Sequence, residues 1–558
     1  MSLRDTRILV SIDFGTTFSG FAYVHKGDSI RNPDIVTNDI WPDSVGDYKT
    51  PTALLYDKAY KEVKNWGTSA LEDESDYDYE SDELRPRPVE LFKLYISDLE
   101  EYQKPWLPPQ FEYKKAIEDY LTQMQLCIKY TIEKRFPGIN FPLQVGLILT
   151  IPAEWPHHTT AIMRRCAYKA GLIKTLDSTN LEFTTEPEAA ALYCLGVVGE
   201  HGLRPGDTFL VADCGGGTID ITTQLLQDNK LVEITERVGD LCGSTFIDKE
   251  FLRWLGRKVG FQALEKLKLH NYGQMQHLVQ KFFCPLIKFK FNGNPEDFRQ
   301  VKLNLFKYCD ELPQYIKGEH RQNLENIGWT LKLDFTSVKG MFDPVINRIL
   351  ELIESQLDDA NERISAMFLV GGFGESPYLL RRVRETFGSR VPNISVPVNS
   401  KAAVVRGAIV YGLNIDVVRK RVLKWTYGIQ VCRDWVAGED DEDRRTPDGK
   451  IFEFRRMVKR RTQVEVNKPF PETCYPVKPN QTSALFKIYY TTKDDAIYCD
   501  ESGVKLLGTL RILMPDIKDG LNRPIEFSLT FARLEVKATA INKRNGKIYD
   551  ETSFELDI

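Results

Sequence analysis

The sequence predicts a mixed α/β protein of two similar lobes, completed by a β-sandwich. Three observations predict it. First, two segments about two hundred residues apart share one pattern: Ile8-Leu-Val-Ser-Ile-Asp13-Phe-Gly15-Thr16-Thr17, running on to Val24, and Thr208-Phe-Leu-Val-Ala-Asp213-Cys-Gly215-Gly216-Gly217-Thr218, running on to Leu225. Each is an apolar β-rich run ending in Asp, then a Gly/Thr turn, then a second β-rich run, so each reads as a hairpin with a tight tip. A repeat at this distance suggests two related lobes, because a solenoid would repeat every ~20–50 residues. Second, apolar strands alternate with helical patterns over roughly residues 5–415, the mark of an α/β domain. Third, beyond about residue 420 helical periodicity gives way to short alternating runs.

The elements follow in order. Residues 113–136 set Ile117, Leu121, Met124, Ile128 and Ile132 on one helical face, and 145–151 read as a buried strand stopped by Pro152. Thr159 can cap a helix that Gly171 ends. Residues 366–370 are another buried strand, followed by a helix with Ser376 at its N-cap, Pro377 at its first position and Gly388 at its stop. Further on, Ala484–Tyr490, Leu506–Leu513 and Ile525–Phe531 alternate as strands, and Asn545-Gly546 marks a hairpin turn. No long helix is expected there.

Composition excludes several function classes. There are 79 acidic against 74 basic residues, a net charge of −5, which argues against nucleic acid or an anionic membrane as the main partner. No apolar run approaches the ~18 residues of a membrane span, and the N-terminus lacks a cleavable signal pattern. The ten cysteines form no CxxC pair and the seven histidines no HExxH, so small buried thiols in a reducing compartment are expected instead of zinc or disulfides. Two acidic runs, eight acids within residues 72–83 and the run 439–443, read as solvated loops, with a docking strip for a basic partner as the alternative.

The two hairpins carry the chemistry. Glycines let backbone approach a ligand, and successive N–H groups at such tips form anion-binding nests. Gly15, Thr16, Thr17, Gly215, Gly216, Gly217 and Thr218 would cradle phosphates, with hydroxyls added by the threonines. Carboxylates at Asp13 and Asp213 beside a polyphosphate make sense with a hard cation between them, Mg²⁺ above all. Either hairpin alone reads as a plain β-turn; the matched pair reads as a clamp on a Mg-nucleotide. Gly371 and Gly372, after the strand 366–370 and before a helix, offer bare backbone to a flat ring or ribose. The GxGxxG and GxxxxGK[ST] spacings are both missing, which excludes dinucleotide-binding and P-loop readings.

The hairpins, the Gly371-Gly372 turn and Thr185-Glu186-Pro187-Glu-Ala-Ala-Ala-Leu192 together resemble the seventy-kilodalton heat-shock protein family, of the superfamily that includes actin and the sugar kinases. The resemblance implies an actin-like ATPase domain with a duplicated ribonuclease H-like fold at residues 5–415, a linker at 416–424 and a β-sandwich peptide-binding domain at 425–558. It implies ATP and ADP as ligands and Mg²⁺ held by Asp13 and Asp213. Lys93, Glu186, Asp213 and Thr218 would be the catalytic set, with Glu186 near the attacking water. Gly243 and Lys288 would lie near the ribose and adenine. For Lys93 and Lys288 an ordinary surface lysine is the competing reading. Implied partners are extended or unfolded polypeptide, co-chaperones and an exchange factor, for a monomer in the cytoplasm and, alternatively, the nucleus.

The chain departs from the family in several places. It resembles a lidless branch similar to the atypical group called family A member twelve, since no helical lid or acidic tail follows the sandwich. The hydrophobic linker becomes the basic run Asp416–Trp425. Pro152 matches the relay proline, but Thr160 stands where an arginine is expected, Lys401 where an Asp is, and Ser244-Thr245-Phe246 where an acidic pair is. These changes bear on coupling between domains more than on nucleotide binding. Three functions stay open: a chaperone-like ATPase, a nucleotide-regulated adaptor that scarcely turns ATP over, and a small-molecule kinase, for which no acceptor-facing carboxylate stands out.

Overall fold

The computed structural model describes residues 6–27, 34–71, 86–97, 99–101, 104–153, 155, 158–176, 178–197, 203–227, 230–414, 418–531 and 536–553. The acidic run at 72–83 lies outside the described residues. The chain forms two compact units: one of residues 1–155, 162–223 and 238–415, the other of 156–161, 224–237 and 416–558.

Two sheets organise the first unit. In one, the strand order is Leu181–Thr185, Val145–Ile151, Ile8–Asp13, Phe18–His25, Val36–Thr37. The first three run parallel, and the Ile8–Asp13 and Phe18–His25 pair is the antiparallel hairpin. In the other, Asn393–Ser395, Ile364–Val370, Thr208–Cys214 and Ile219–Gln227 follow in the same order of roles: two parallel neighbours, then the two strands flanking the second Gly/Thr turn. Ile8–Asp13, Val145–Ile151 and Thr208–Cys214 are buried at every position. Their continuous apolar runs suit strands covered on both faces.

Small residues bring the covering helices close. A Cβ added to Gly407, in the helix Ala403–Leu413, would lie 1.7 Å from the carbonyl oxygen of Ala189, in the helix Glu186–Val197. Only glycine permits that approach. The Ser11 hydroxyl donates to the Val405 carbonyl at 2.6 Å and ties the first helix to the sheet beneath.

The second unit contains two four-stranded antiparallel sheets. One has the order Lys450–Val458, Thr426–Asp434, Ser483–Thr491, Val504–Leu513; the other Pro469–Cys474, Ile525–Phe531, Val536–Asn542, Ile548–Ser553. Their inward residues share one core, in which Phe486 stacks on Phe527 at 4.6 Å and Tyr427 meets Phe531 at 4.9 Å. The alternating sequence explains the shared core: Leu510 and Ile512 are buried while Arg511 and Leu513 between and beyond them face out. Gly546, at φ +69°, turns the last hairpin. The only helix described after residue 418 is a single turn at Glu442–Arg444.

Three local expectations change. The segment read as a linker carries the strand Val418–Val422, which pairs with Lys230–Glu233 on one side and Gln463–Glu465 on the other. The Glu233 carboxylate accepts the Val422 N–H at 2.9 Å, giving that short basic strand a buried anchor. The helix at 158–169 begins one residue before Thr159, so this threonine is inside its first turn and is not its cap. The 439–443 loop is not simply solvated, because Asp440 folds it back. Its carboxylate accepts two hydrogen bonds from Arg433, at 2.7 and 2.6 Å, and one from the Val436 N–H at 2.7 Å. All ten cysteines are free thiols; six are buried and Cys127, Cys432, Cys474 and Cys499 are half-buried.

Candidate functional site

Both hairpin tips are held in place by hydrogen bonds to their backbones. At the first, the Gly15 N–H donates to the Ser19 hydroxyl at 3.2 Å, and Thr52 donates to the Gly15 carbonyl at 2.8 Å. At the second, the Gly215 N–H donates to the Thr218 carbonyl at 3.0 Å. From below, the N–H groups of Gly243, Ser244 and Thr245 donate to the carbonyls of Gly217, Gly215 and Gly216 at 2.9–3.1 Å. Gly243 is therefore a brace for the tip: a Cβ there would sit 2.4 Å from the Gly216 oxygen.

The tips meet. A Cβ on Gly216 would lie 2.1 Å from the Thr17 hydroxyl oxygen, and one on Gly217 would lie 2.9 Å from the Thr16 methyl carbon. Two hairpins separated by two hundred residues thus present their hydroxyls and glycine backbone to one place. Gly371 closes on the same point. It has φ +79°, and a Cβ on it would approach Asp213 Oδ1 to 2.5 Å. That backbone conformation and that proximity both require glycine. The neighbouring Gly372 has nothing within 4 Å of its Cβ position and faces open space.

Three carboxylates and two lysines lie beneath the tips. Asp13 ends the first hairpin strand, accepts from Thr150 at 3.3 Å and pairs with Lys49 at 2.6 Å. Glu186 starts its helix and pairs with Lys93 at 2.7 Å; the two side chains are 9% and 2% exposed, so Lys93 is not a surface lysine. Two residues before it, Leu91 sits in the left-handed region at φ 59°, a strained conformation of the kind that clusters at functional sites. The Lys93 ammonium also lies over the rings of Trp155 and Phe14, at 5.1 and 5.6 Å.

Asp213 has no ammonium in ion-pair contact among the described residues. Burial, reinforced by the charges of Glu186 and Asp13, pushes its carboxyl up to about 7 against the pull of Lys49 and Lys93. Burial likewise raises Glu186, with Lys93 working the other way. Burial opposes the charge of Lys49, but Asp13 first, then Asp213 and Glu186, overcome it and hold its pKa up. Three carboxylates against two ammoniums leave one carboxylate over, Asp213, whose charge burial partly suppresses. That surplus, next to hydroxyls and glycine backbone suited to phosphate oxygens, fits a hard cation chelated by phosphates. Asp13 and Asp213 are the carboxylates that would hold it.

Lys288 lies apart from this cluster. It is on the wide-wound helix Leu278–Lys288, is 7% exposed, and pairs with Asp248 at 2.8 Å. Asp248 belongs to the helix Thr245–Val259, which starts at the brace under the second tip. Lys49 and Asp248 were not foreseen from sequence. One signal could have found Lys49. Gly20 pairs in register with Asp13 inside a buried strand, and its missing side chain leaves the space that the Lys49 stem crosses: a Cβ on Gly20 would lie 3.1 Å from Lys49 Cγ.

A mixed α/β fold with two facing Asp–Gly/Thr hairpins over a carboxylate cluster is consistent with the actin-like ATPase class of nucleotide-binding proteins. A model for a domain of unknown function, DUF8340, matches residues 204–395. Mouse (Mus musculus) Heat shock 70 kDa protein 12A is 24% identical over 97% of this chain and 90% of its own length, and Homo sapiens Heat shock 70 kDa protein 12B is 24% identical over 96% and 89%. The Chaperone protein DnaK of Anaplasma marginale (strain St. Maries) is 25% identical over 54% of this chain and 43% of its own length. The chain is a divergent relative of the heat-shock 70 kDa proteins, homologous over nearly its full length to the 12A and 12B proteins.

Proposed function

We propose that this protein binds ATP and ADP between its two hairpin tips, hydrolyses ATP slowly, and couples nucleotide state to the binding of extended polypeptide. On this reading the two sheets of the first unit are the cores of two lobes of an actin-like domain, each a ribonuclease H-like fold, and the paired sheets of the second unit are a peptide-binding β-sandwich. The observation that carries it is the meeting of the tips over Asp13, Glu186 and Asp213. Similarity to the heat-shock 70 kDa proteins and to the DnaK chaperone supports the chaperone part.

The chain's own groups have definite roles in this chemistry. Bound Mg²⁺ would neutralise phosphate charge. Thr16, Thr17, Thr218 and the Gly216–Gly217 backbone donate to phosphate oxygens and fix the terminal phosphate in line with a water. Glu186, fixed by Lys93, orients that water and takes up its proton, while the burial of the cluster excludes bulk solvent. Catalysis is then positioning and charge stabilisation, with no covalent intermediate on the protein. Extended polypeptide would add to the second unit by backbone hydrogen bonds and apolar pockets. Partner co-chaperones or an exchange factor, a monomeric state and a cytoplasmic or nuclear location belong to the same proposal. No helix of the described residues is long and apolar enough to cross a membrane.

A second reading, an adaptor that binds ATP and scarcely turns it over, is favoured by Lys49 standing on Asp13 and by Lys401 pairing with Glu375 at 3.1 Å. Calorimetric ATP titration and steady-state phosphate release, on wild type beside Thr218→Ala, test both. Binding lost in the variant with turnover in wild type supports the first reading. Tight binding without turnover supports the second, and no binding by wild type sinks both.

A further inference from the structure

Lys49 is the feature of the site that the nucleotide reading leaves unused. Its ammonium lies 2.6 Å from Asp13, and its charge is felt by Asp13, Asp213 and Glu186 alike. Its side chain is 22% exposed, so it retains access to whatever enters between the tips. It does not reach Asp13 by chance of a floppy chain. Residues 50–51 pair with 18–19, Asp13 pairs with Gly20, and the Lys49 stem crosses the gap that Gly20 leaves. A fixed positive charge therefore stands on one of the two carboxylates that would hold a cation.

We infer that Lys49 is a built-in cation of the nucleotide site. It takes over much of the work of the divalent ion at Asp13 and contacts the phosphates directly, so that nucleotide binding depends only weakly on Mg²⁺. The inference rests on the nucleotide reading above. The charges support it. Asp13 is already compensated by Lys49 and Glu186 by Lys93, which leaves Asp213 as the one carboxylate that a divalent ion would still have to neutralise. A lysine is a compact point charge well suited to phosphate oxygens. A divalent ion at Asp13 must share that carboxylate with the ammonium or displace it.

The test is titration of the full chain with ADP and with ATP, in Mg²⁺ and in EDTA, for wild type and Lys49→Met. Wild-type affinity in EDTA should stay within about tenfold of that in Mg²⁺. Lys49→Met should lose about a hundredfold in EDTA, the scale of a lost hydrogen bond between charged groups, and much less in Mg²⁺. Wild-type binding that falls more than a hundredfold in EDTA overturns the inference while leaving the nucleotide reading intact. So does a variant that binds equally well without metal. No wild-type binding in either buffer overturns the nucleotide reading itself. The wild-type ratio alone decides the matter if the variant does not fold.

Discussion

Carboxylates meet opposite fates in the two units. In the first, Glu186 and Asp213 are buried near Asp13, and burial raises both, Asp213 to about 7. In the second, hydrogen bonds from Arg433 hold Asp440 down at about 2, and Arg455 and Arg433 hold Glu453 down against its burial. The same side-chain chemistry stores unfavourable charge in one place and contributes stability in the other. Arginines at the second unit's surface complete their carboxylates within the fold. Beneath the hairpin tips one carboxylate is left for something the chain does not supply. Unpaired burial of this kind clusters where a ligand completes it, which makes that cluster the candidate site.

The sharpest way to break this comparison is to remove a lysine from the cluster. Lys93→Met leaves Glu186 buried without its partner and should cost about 3–5 kcal/mol in denaturant unfolding. The double variant Lys93→Met/Glu186→Gln should regain most of that. If the single variant is as stable as wild type, the pair is not a buried one and the contrast between units fails. Next comes Asp213→Asn, whose two effects should have opposite signs. With the uncompensated charge gone, the ligand-free protein should melt no lower than wild type, while ATP affinity in Mg²⁺ falls by up to about tenfold, the share of binding that the metal carries. A clear drop in melting temperature without change in binding would make Asp213 structural.

Contact between the tips is tested by volume. Gly216→Ala sets a Cβ 2.1 Å from the Thr17 hydroxyl, and overpacking of this kind costs about 1–3 kcal/mol. Unfolding and ATP titration should both register it, and Thr17→Gly in the same chain should relieve the loss of stability. Additive effects of the two substitutions would mean that the tips do not touch.

Much of this was legible in the sequence where local pattern carries it. The hairpins read at 8–24 and 208–225, the strands read at 145–151 and 366–370, and the Ser376 cap, whose hydroxyl accepts the Leu379 N–H, all follow from runs of apolar residues and turn chemistry within a dozen positions. Lys93 was reached by resemblance, and its pairing with Glu186 joins residues 93 apart. Lys49 was not reached, because a lysine in the loop before Thr50 has no periodicity to mark it; its role comes from a register between strands and a gap at Gly20. The strand Val418–Val422 was read as linker for a similar reason. Three consecutive basic residues look solvated until Glu233 supplies an anchor from far along the chain. Thr159 was misplaced by one residue at a helix end, where capping signals are least exact in position.

The smallest expected effect sharpens the comparison from the other side. Asp440 has a folded pKa of about 2, below its ordinary value of 3.8. A carboxylate depressed on folding contributes stability that is complete above its unfolded pKa and disappears as pH falls through its folded one. Arg433→Ala should therefore lower the melting temperature at pH 7 by an amount that shrinks as the pH drops from about 4 to about 2, because protonation removes in wild type the same interaction that the substitution removes. The loss at pH 7 should be modest, since Arg433 is one-third exposed and exposed pairs are worth little. Scanning calorimetry across that pH range reads the difference directly. A gap between wild type and variant that stays constant down to pH 2 would mean that Arg433 acts by packing, and the second unit's arginines would then not be the counterpart of the lysines at the site.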